Sequence, residues 1–356
     1  MNVLVNTGFW ATHNTEQSCY FFCEVFKRIV QQNPEDKFYF LVTPENKNDF
    51  SFGANSFTIQ LKAVQQSHWY KKYWMNVKLP KLLRLVKPQI IIQPVEYFSP
   101  SIKIPQVLMA CDESSIPKRI NKVSHIITST ENLKIKINRG FGPGEEKINV
   151  VYAAPDAIFK PVNEIIKRKT KDEFSSGYEY FLLIDEEGSD AALINVLKAF
   201  SIFKSKQKSN MKLLVLSEDL LYDKNVAEKI KTYKYRDDIV LWDEFKNESI
   251  AEMIASAYAV LYLPTHDNPC LPLMWAMQSG VPVITSKNKS AVEIVGNAAL
   301  QADELNYEDI AGQMLLLYKD ENGRSGLIEN GVQQVLKFNW KNSAHRFWQL
   351  MLKAGS

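Results

Sequence analysis

Residues 259–300 read AVLYLPTHDNPCLPLMWAMQSGVPVITSKNKSAVEIVGNAAL, and the fold follows from how this stretch divides. AVLYL is an unbroken apolar run of strand length, the pattern of a strand buried on both sheet faces. The polar turn from Pro264 to Cys270 ends it. A helix is expected from about Leu271, and Gly280 closes it, because glycine accepts the left-handed conformation that turns a helix end sharply into the next element. VPVIT, from Val281, is a second buried strand. Strand, turn, helix, glycine and strand make one repeat of a parallel sheet covered on both faces.

The same alternation runs outward in both directions. In the first half, strands are expected at Asn2 to Asn6, Phe38 to Thr43, Phe57 to Leu61, Gln89 to Gln93, Gln106 to Ala110, His125 to Ser129 and Ile148 to Tyr152. A first helix is expected from about Thr15 to Gln32, with Asn14 and Gln17 spaced as an N-cap and its reciprocal partner. Another covers Trp69 to Val86. The stretch KPVNEIIKRKTKDEFSSG, Lys160 to Gly177, is polar and basic with a weak helical pattern, and reads as a domain boundary. Strands then restart at Tyr180, Lys212, Ile239, Ala259 and Val281, and the chain ends in helices from about Asn306 to Lys353. The expected organisation is α/β, with two doubly wound domains at 1–162 and 178–338, a linker at 163–177 and a closing helix at 339–356. Two such halves leave a cleft facing the carboxyl ends of both sheets, where ligands of these sheets bind.

Composition narrows the function classes. The chain has 356 residues, 46% hydrophobic and 23% charged, which suits two globular domains. A net charge of +3 argues neither for nucleic acid nor for an acidic partner, and no nucleic-acid partner is expected. Lys or Arg interrupts every long apolar stretch, so no membrane span is expected, and the start MNVLVNTGFW reads as a strand rather than a secretory signal. A cytoplasmic protein is expected. Cys19, Cys23, Cys111 and Cys270 form no CxxC pair and five histidines are scattered, so neither zinc nor a disulfide is expected.

From Tyr262 to Leu300 the sequence resembles the nucleotide-sugar site of glycosyltransferase family 4, retaining enzymes of the GT-B fold. The matching residues are Pro264, Leu271, Pro272, Ala276, Met277, Gly280, Val281, Pro282, Val283 and Ile284. VVYAAPDAIFKP, Val150 to Pro161, resembles the segment leading out of the family's first domain. FNWKNSAHRFWQLM, Phe338 to Met351, resembles its closing helix, which crosses back to that domain. The resemblance implies transfer of a sugar from a nucleotide-diphosphate sugar to a glycan or lipid-linked acceptor, with retention and without a metal or other cofactor. It implies a donor site at Cys270, Leu271, Pro272, Trp275 and Ser290, where a helix start offers N–H groups to the diphosphate. Asp267 takes the place of a family Glu that contacts the transferred sugar, and Asp112 and His13 face the acceptor.

The sequence also departs from that pattern. Trp275 stands where the family has the Glu that holds ribose hydroxyls, and an indole N–H cannot accept from them. Two readings follow: Trp275 stacks on a base or sugar ring, or it fills the vacated pocket as core. Pro269 and Cys270 replace residues of a Gly-Phe-Gly turn. Cys111 stands where the family has a His. After the Tyr180 strand, Asp185, Glu186, Glu187 and Asp190 replace the family's phosphate-holding Arg and Lys, and Ser217-Glu218-Asp219 follows the next strand. A carboxylate about 6 Å from a phosphate charge costs about 3 kcal/mol at an effective dielectric of about 20, so this segment is expected to be a solvated acidic loop. The alternative to an active enzyme is a degenerate homologue that binds glycan or protein. The basic, aromatic segment Trp69 to Lys87 reads either as a helix covering the sheet with lysines in water or as a peripheral contact with an anionic inner membrane face.

Overall fold

The computed structural model of the chain describes residues 1–7, 16–44, 47–61, 73–110, 116, 120, 123–185, 190–217, 230–243 and 247–355. They form two units, one made of Met1–Ala153 with Asn339–Ser356 and the other of Ala154–Phe338.

The first unit is built on a seven-stranded sheet of β1 (Asn2–Asn6), β2 (Lys37–Val42), β3 (Ser56–Gln60), β4 (Ile90–Pro94), β5 (Gln106–Ala110), β6 (His125–Thr128) and β7 (Ile148–Val150). Their order is β3-β2-β1-β4-β5-β6-β7, and every neighbouring pair is parallel. The central strands β1, β4 and β5 are buried along almost their whole length, as expected of strands covered on both faces. Helices α1 (Glu16–Gln32), α2 (Leu79–Val86) and α3 (Glu131–Phe141) connect them, α2 continuing a π-helical turn at Trp74–Lys78. Thr130 caps α3 by accepting from Leu133 N, and Gly142 ends it at φ 60°.

The second unit holds β8 (Tyr180–Ile184), β9 (Lys212–Leu216), β10 (Ile239–Trp242), β11 (Ala259–Tyr262), β12 (Val283–Ser286) and β13 (Ala299–Ala302). All neighbours are parallel in the order β10-β9-β8-β11-β12-β13. Its helices are α4 (Glu164–Ser175), α5 (Asp190–Gln207), α6 (Asn247–Ser256), α7 (Leu271–Gln278), α8 (Lys289–Val295), α9 (Tyr307–Lys319) and α10 (Glu321–Val335). In each sheet the strand order reverses once, between β1 and β4 and between β8 and β11. Loops leaving the carboxyl ends of those strands diverge, which makes these two places the ligand positions of such sheets.

One expectation is corrected. The stretch 163–177 is no linker: Asn163 accepts from Ile166 N to cap α4, whose Phe174 is buried in the second unit. Lysines on the outer face of that helix masked its apolar stripe. The helical ending expected from about Asn306 holds, and the short strand β13 just before it is an addition that the sequence did not signal. The helix at Trp69 to Val86 is described from Tyr73 onward, and it spends Leu79, Leu82, Leu83 and Val86 on the sheet side while Lys81, Arg84, Leu85 and Lys87 face water. Asn14 of the expected first cap lies outside the described residues. No helix among the described residues is long and apolar enough to cross a membrane.

The closing helix α11 (Trp340–Gly355) belongs to the first unit. Its Phe347 ring meets Phe21, Phe22 and Phe26 of α1 at centroid distances of 6.4, 6.2 and 5.5 Å, and Trp340 meets Phe21 at 5.8 Å. Ser343 Oγ donates to Tyr152 O at 2.7 Å, tying the helix to the end of the sheet. The unit's core is therefore closed by residues far away in sequence. Phe347→Ala should lower the free energy of unfolding by about 3–5 kcal/mol, read by denaturant melts, as expected for a fully buried aromatic ring.

Candidate functional site

The carboxyl end of β11 leads into the loop from Leu263 to Cys270, which lies beside the strand-order reversal of the second sheet. A loop at this position needs fixing, because it has no ladder of its own. Three side chains at alternate positions on the β12 to α8 corner do so. Ser286 Oγ donates to Pro264 O at 2.7 Å, Asn288 Nδ2 donates to Thr265 O at 3.4 Å, and Ser290 Oγ donates to Asp267 Oδ1 at 2.7 Å. Asn288 also caps α8, its Oδ1 accepting from Ser290 N and Ala291 N. Asp267 is thereby held 7% exposed, with its carboxylate at the start of α8, where the helix dipole favours negative charge. Cys270 N donates to Asn268 Oδ1 at 2.8 Å, and Asn268 Nδ2 donates to Tyr262 Oη at 3.0 Å, so the loop's far end is anchored to its own strand.

Cys270 precedes α7 at φ 54°, ψ 39°, a left-handed conformation that glycine would adopt without strain. This turn corrects the expectation of a helix start open to an anion. Pro269 and Pro272 carry no N–H, Cys270 N is committed to Asn268, and Leu273 N donates to Cys270 O at 3.1 Å. Most of the amides that a diphosphate would use are thus absent or engaged within the turn. At the other end the expectation holds. Gly280 sits at φ 70°, with Gly280 N donating to Met277 O and Val281 N to Ala276 O, the paired bonds of a Schellman ending.

Trp275 projects from α7 onto Phe159, with ring centroids 4.6 Å apart and planes 9° apart. Gln278 Nε2, one turn further on, donates to Asp156 O and Phe159 O, both at 2.6 Å, and clamps that segment against the helix. One face of the indole is therefore covered by the protein's own phenyl ring. Its Nε1 is buried and has no hydrogen-bond partner among the described residues. An orphaned donor of this kind costs about 1–3 kcal/mol unless a ligand or water accepts from it.

Next along the sheet edge, Asp185 directly follows β8 and Ser217 directly follows β9. Asp185 is no solvated loop residue as expected, because its side chain is 9% exposed and its amide donates to Leu216 O at 3.0 Å. Ser217 is 2% exposed and its Oγ has no partner among the described residues. Of the expected site residues, Asp267, Cys270, Leu271, Pro272, Trp275 and Ser290 are brought together here. His13, Asp112, Cys111, Glu186, Glu187, Glu218 and Asp219 lie outside the described residues. Among the described residues no group of three or more His, Cys, Asp or Glu side chains is placed to hold a metal ion. Sequence reasoning missed Asn288, Ser286, Phe159 and Gln278. Only Asn288 carried a signal, an Asn directly before the helix KSAVEIV.

Comparison with known proteins agrees with this architecture. Residues 166–334 match the family model described as glycosyl transferases group 1. A 96-residue stretch is 31% identical to the O-antigen chain mannosyltransferase B of Escherichia coli, and 181 residues are 20% identical to the O-antigen chain mannosyltransferase RfbU of Salmonella typhimurium. Those matches span 25% and 47% of the two relatives' lengths. Among solved structures, HepE of Anabaena, determined in complex with UDP and glucose, superposes with a TM-score of 0.77 at 11% identity, covering 99% of this chain and 100% of that one. The fold is GT-B.

The indole donor is open to a direct check. Trp275→Phe keeps a ring on Phe159 and deletes the orphaned N–H, so the gain from removing an unsatisfied donor and the loss of ring volume, each about 1–3 kcal/mol, should nearly cancel in denaturant melts. Trp275→Ala, which also removes the stack, should cost about 3–5 kcal/mol.

Proposed function

We propose that the chain transfers a sugar from a nucleotide-diphosphate sugar to a hydroxyl of a glycan or lipid-linked acceptor, with retention of anomeric configuration. The observation that carries this reading is Asp267, a buried carboxylate held by Ser290 at the carboxyl edge of β11, inside the stretch that matches the glycosyltransferase family. A carboxylate accepts only, the chemistry that suits sugar hydroxyls. In the transfer the acceptor oxygen bonds to the anomeric carbon and the bond from that carbon to the diphosphate oxygen breaks. The electron pair leaves with the diphosphate, and the acceptor's proton passes to it on the same face. Asp267 takes hold of the transferred sugar, and Cys270, Leu271, Pro272, Trp275 and Ser290 line the donor side. Asp112 and His13 are assigned to the acceptor side from sequence. The bound UDP of the Anabaena neighbour supports a uridine or similar nucleotide as donor. No metal enters the scheme.

A second reading, a homologue that binds without transferring, is favoured by the committed amides at α7 and by the Phe159 ring over Trp275. A cytoplasmic location is proposed with either reading. Among the described residues, any contact with an anionic membrane would rest on Val77 and Leu85 with Lys81, Arg84 and Lys87, since Leu79, Leu82, Leu83 and Val86 cover the sheet.

Ligand-induced stabilisation separates the two readings. At a hundredfold excess over Kd a donor adds about 2.7 kcal/mol to stability. Millimolar UDP-, GDP- or ADP-sugar should therefore raise the melting temperature by several degrees, and Asp267→Asn should abolish the rise. If none of these donors moves the melting temperature, the binding-only reading stands instead.

A further inference from the structure

The amino edge of the second sheet, at the other end of the strands from Asp267, carries a concentration of charge that the donor chemistry does not use. Residues 204–212, KSKQKSNMK, end α5 and open β9, and residues 231–238, KTYKYRDD, lead into β10. Together they hold seven Lys or Arg and two Asp, an excess of five positive charges against +3 for the whole chain. The remainder of the chain is therefore net negative, and the positive charge is gathered here.

Hydrogen bonds join the two segments into one surface. Tyr233 Oη donates to Leu197 O at 2.6 Å and accepts from Ser201 Oγ at 2.8 Å, strapping the second segment to α5. Asp238 pairs with Lys204 at 2.8 Å and with Lys212 at 2.9 Å, and Lys212 Nζ also donates to Asp237 O at 2.8 Å. Two lysines and one aspartate are thus committed to holding the surface together. Lys206, Lys208, Lys231 and Lys234 are exposed, and among the described residues none of them is paired with a carboxylate. Lys208 stands at φ 50°, a left-handed position at the end of α5 that glycine would occupy without strain. The chain places a cation there instead.

The exposed charge calls for an anion, and the rest of the surface narrows its kind. Binding to a bilayer requires apolar insertion as well as charge, and binding of nucleic acid bases requires open rings. Here Lys234 Nζ lies 5.1 Å and Lys204 Nζ 6.0 Å from the centroid of the Tyr235 ring, and neither segment exposes a large apolar side chain. Asp237, its side chain 92% exposed and 3.8 Å from Arg236, stands among the cations and would be pressed against a uniformly anionic plane. A protein segment with carboxylates spaced along it can meet the lysines and leave Asp237 in water.

We infer that the amino edge of the second unit docks an acidic, carboxylate-rich segment of a partner protein through Lys206, Lys208, Lys231 and Lys234. The surface is remote from Asp267 along the strands, so the inference does not depend on sugar transfer.

The test titrates the whole chain into a fluorescein-labelled polyglutamate peptide and follows fluorescence anisotropy. Saturable binding is expected at low ionic strength, weakening by about ten-fold or more at physiological salt, as screening of exposed charges requires. The combined variant K206E/K208E/K231E/K234E should abolish it, whereas K81E/R84E/K87E on α2 should leave it unchanged. Where the reversed set fails to fold, glutamine at the same four positions decides, with an expected loss of about ten-fold or more. No saturable binding, or binding that survives the four substitutions, overturns the site. Vesicles of phosphatidylcholine and phosphatidylglycerol are the second probe. If they bind through the same lysines as tightly as polyglutamate does, or in its place, the acidic protein is overturned as the partner in favour of a membrane.

Discussion

A carboxylate taken out of water must be given donors, and the candidate site is organised around meeting that requirement for Asp267. Its hydrogen bond from Ser290 requires α8 to begin where it does, which in turn requires the Asn288 cap. The same corner fixes Pro264 and Thr265 through Ser286 and Asn288, so the loop that carries Asp267 has no independent freedom. On the other side Asn268 turns the chain into Cys270 and α7. Removing the Ser290 hydroxyl would leave a buried charge short of a donor and loosen every contact that follows from it.

Parallel sheets explain why polar groups gather where they do. All strands of a sheet point the same way, so their carboxyl ends share one edge, and loops diverge where the strand order reverses. At the β8 and β11 reversal this edge holds Asp185 and Asp267, with Ser217 on the adjoining strand. At the β1 and β4 reversal it holds Asn6 and Gln93. The two edges differ in chemistry. One displays buried carboxylates, the other neutral amides.

The alternation of apolar runs and helical segments made the fold legible, because a strand buried on both faces leaves an unmistakable run such as YFLLI or AVLYL. The left-handed glycine at 280 was legible because glycine adopts that backbone without strain. The helix from Glu164 to Ser175 was not, since lysines around its exposed face outweigh the few apolar residues that it buries. Within the site, the family-like residues from Leu271 to Ile284 were visible as a pattern. The partners that position them were not. Phe159 reaches Trp275, and Ser290 reaches Asp267, across separations that no periodicity encodes. Whether the amides before α7 were open depended on the side-chain rotamer of Asn268, which sequence does not carry.

The account turns on Asp267 serving transfer rather than only the loop that holds it. The most direct measurement is release of nucleoside diphosphate from a panel of UDP-, GDP- and ADP-sugars by the native chain and by Asp267→Asn, with both proteins shown to be folded. The account predicts release from at least one donor, falling about 100-fold or more in the variant, the loss typical of removing a group that acts on the reacting centre. Equal release by the two proteins, or none by the native chain with any donor, would contradict it.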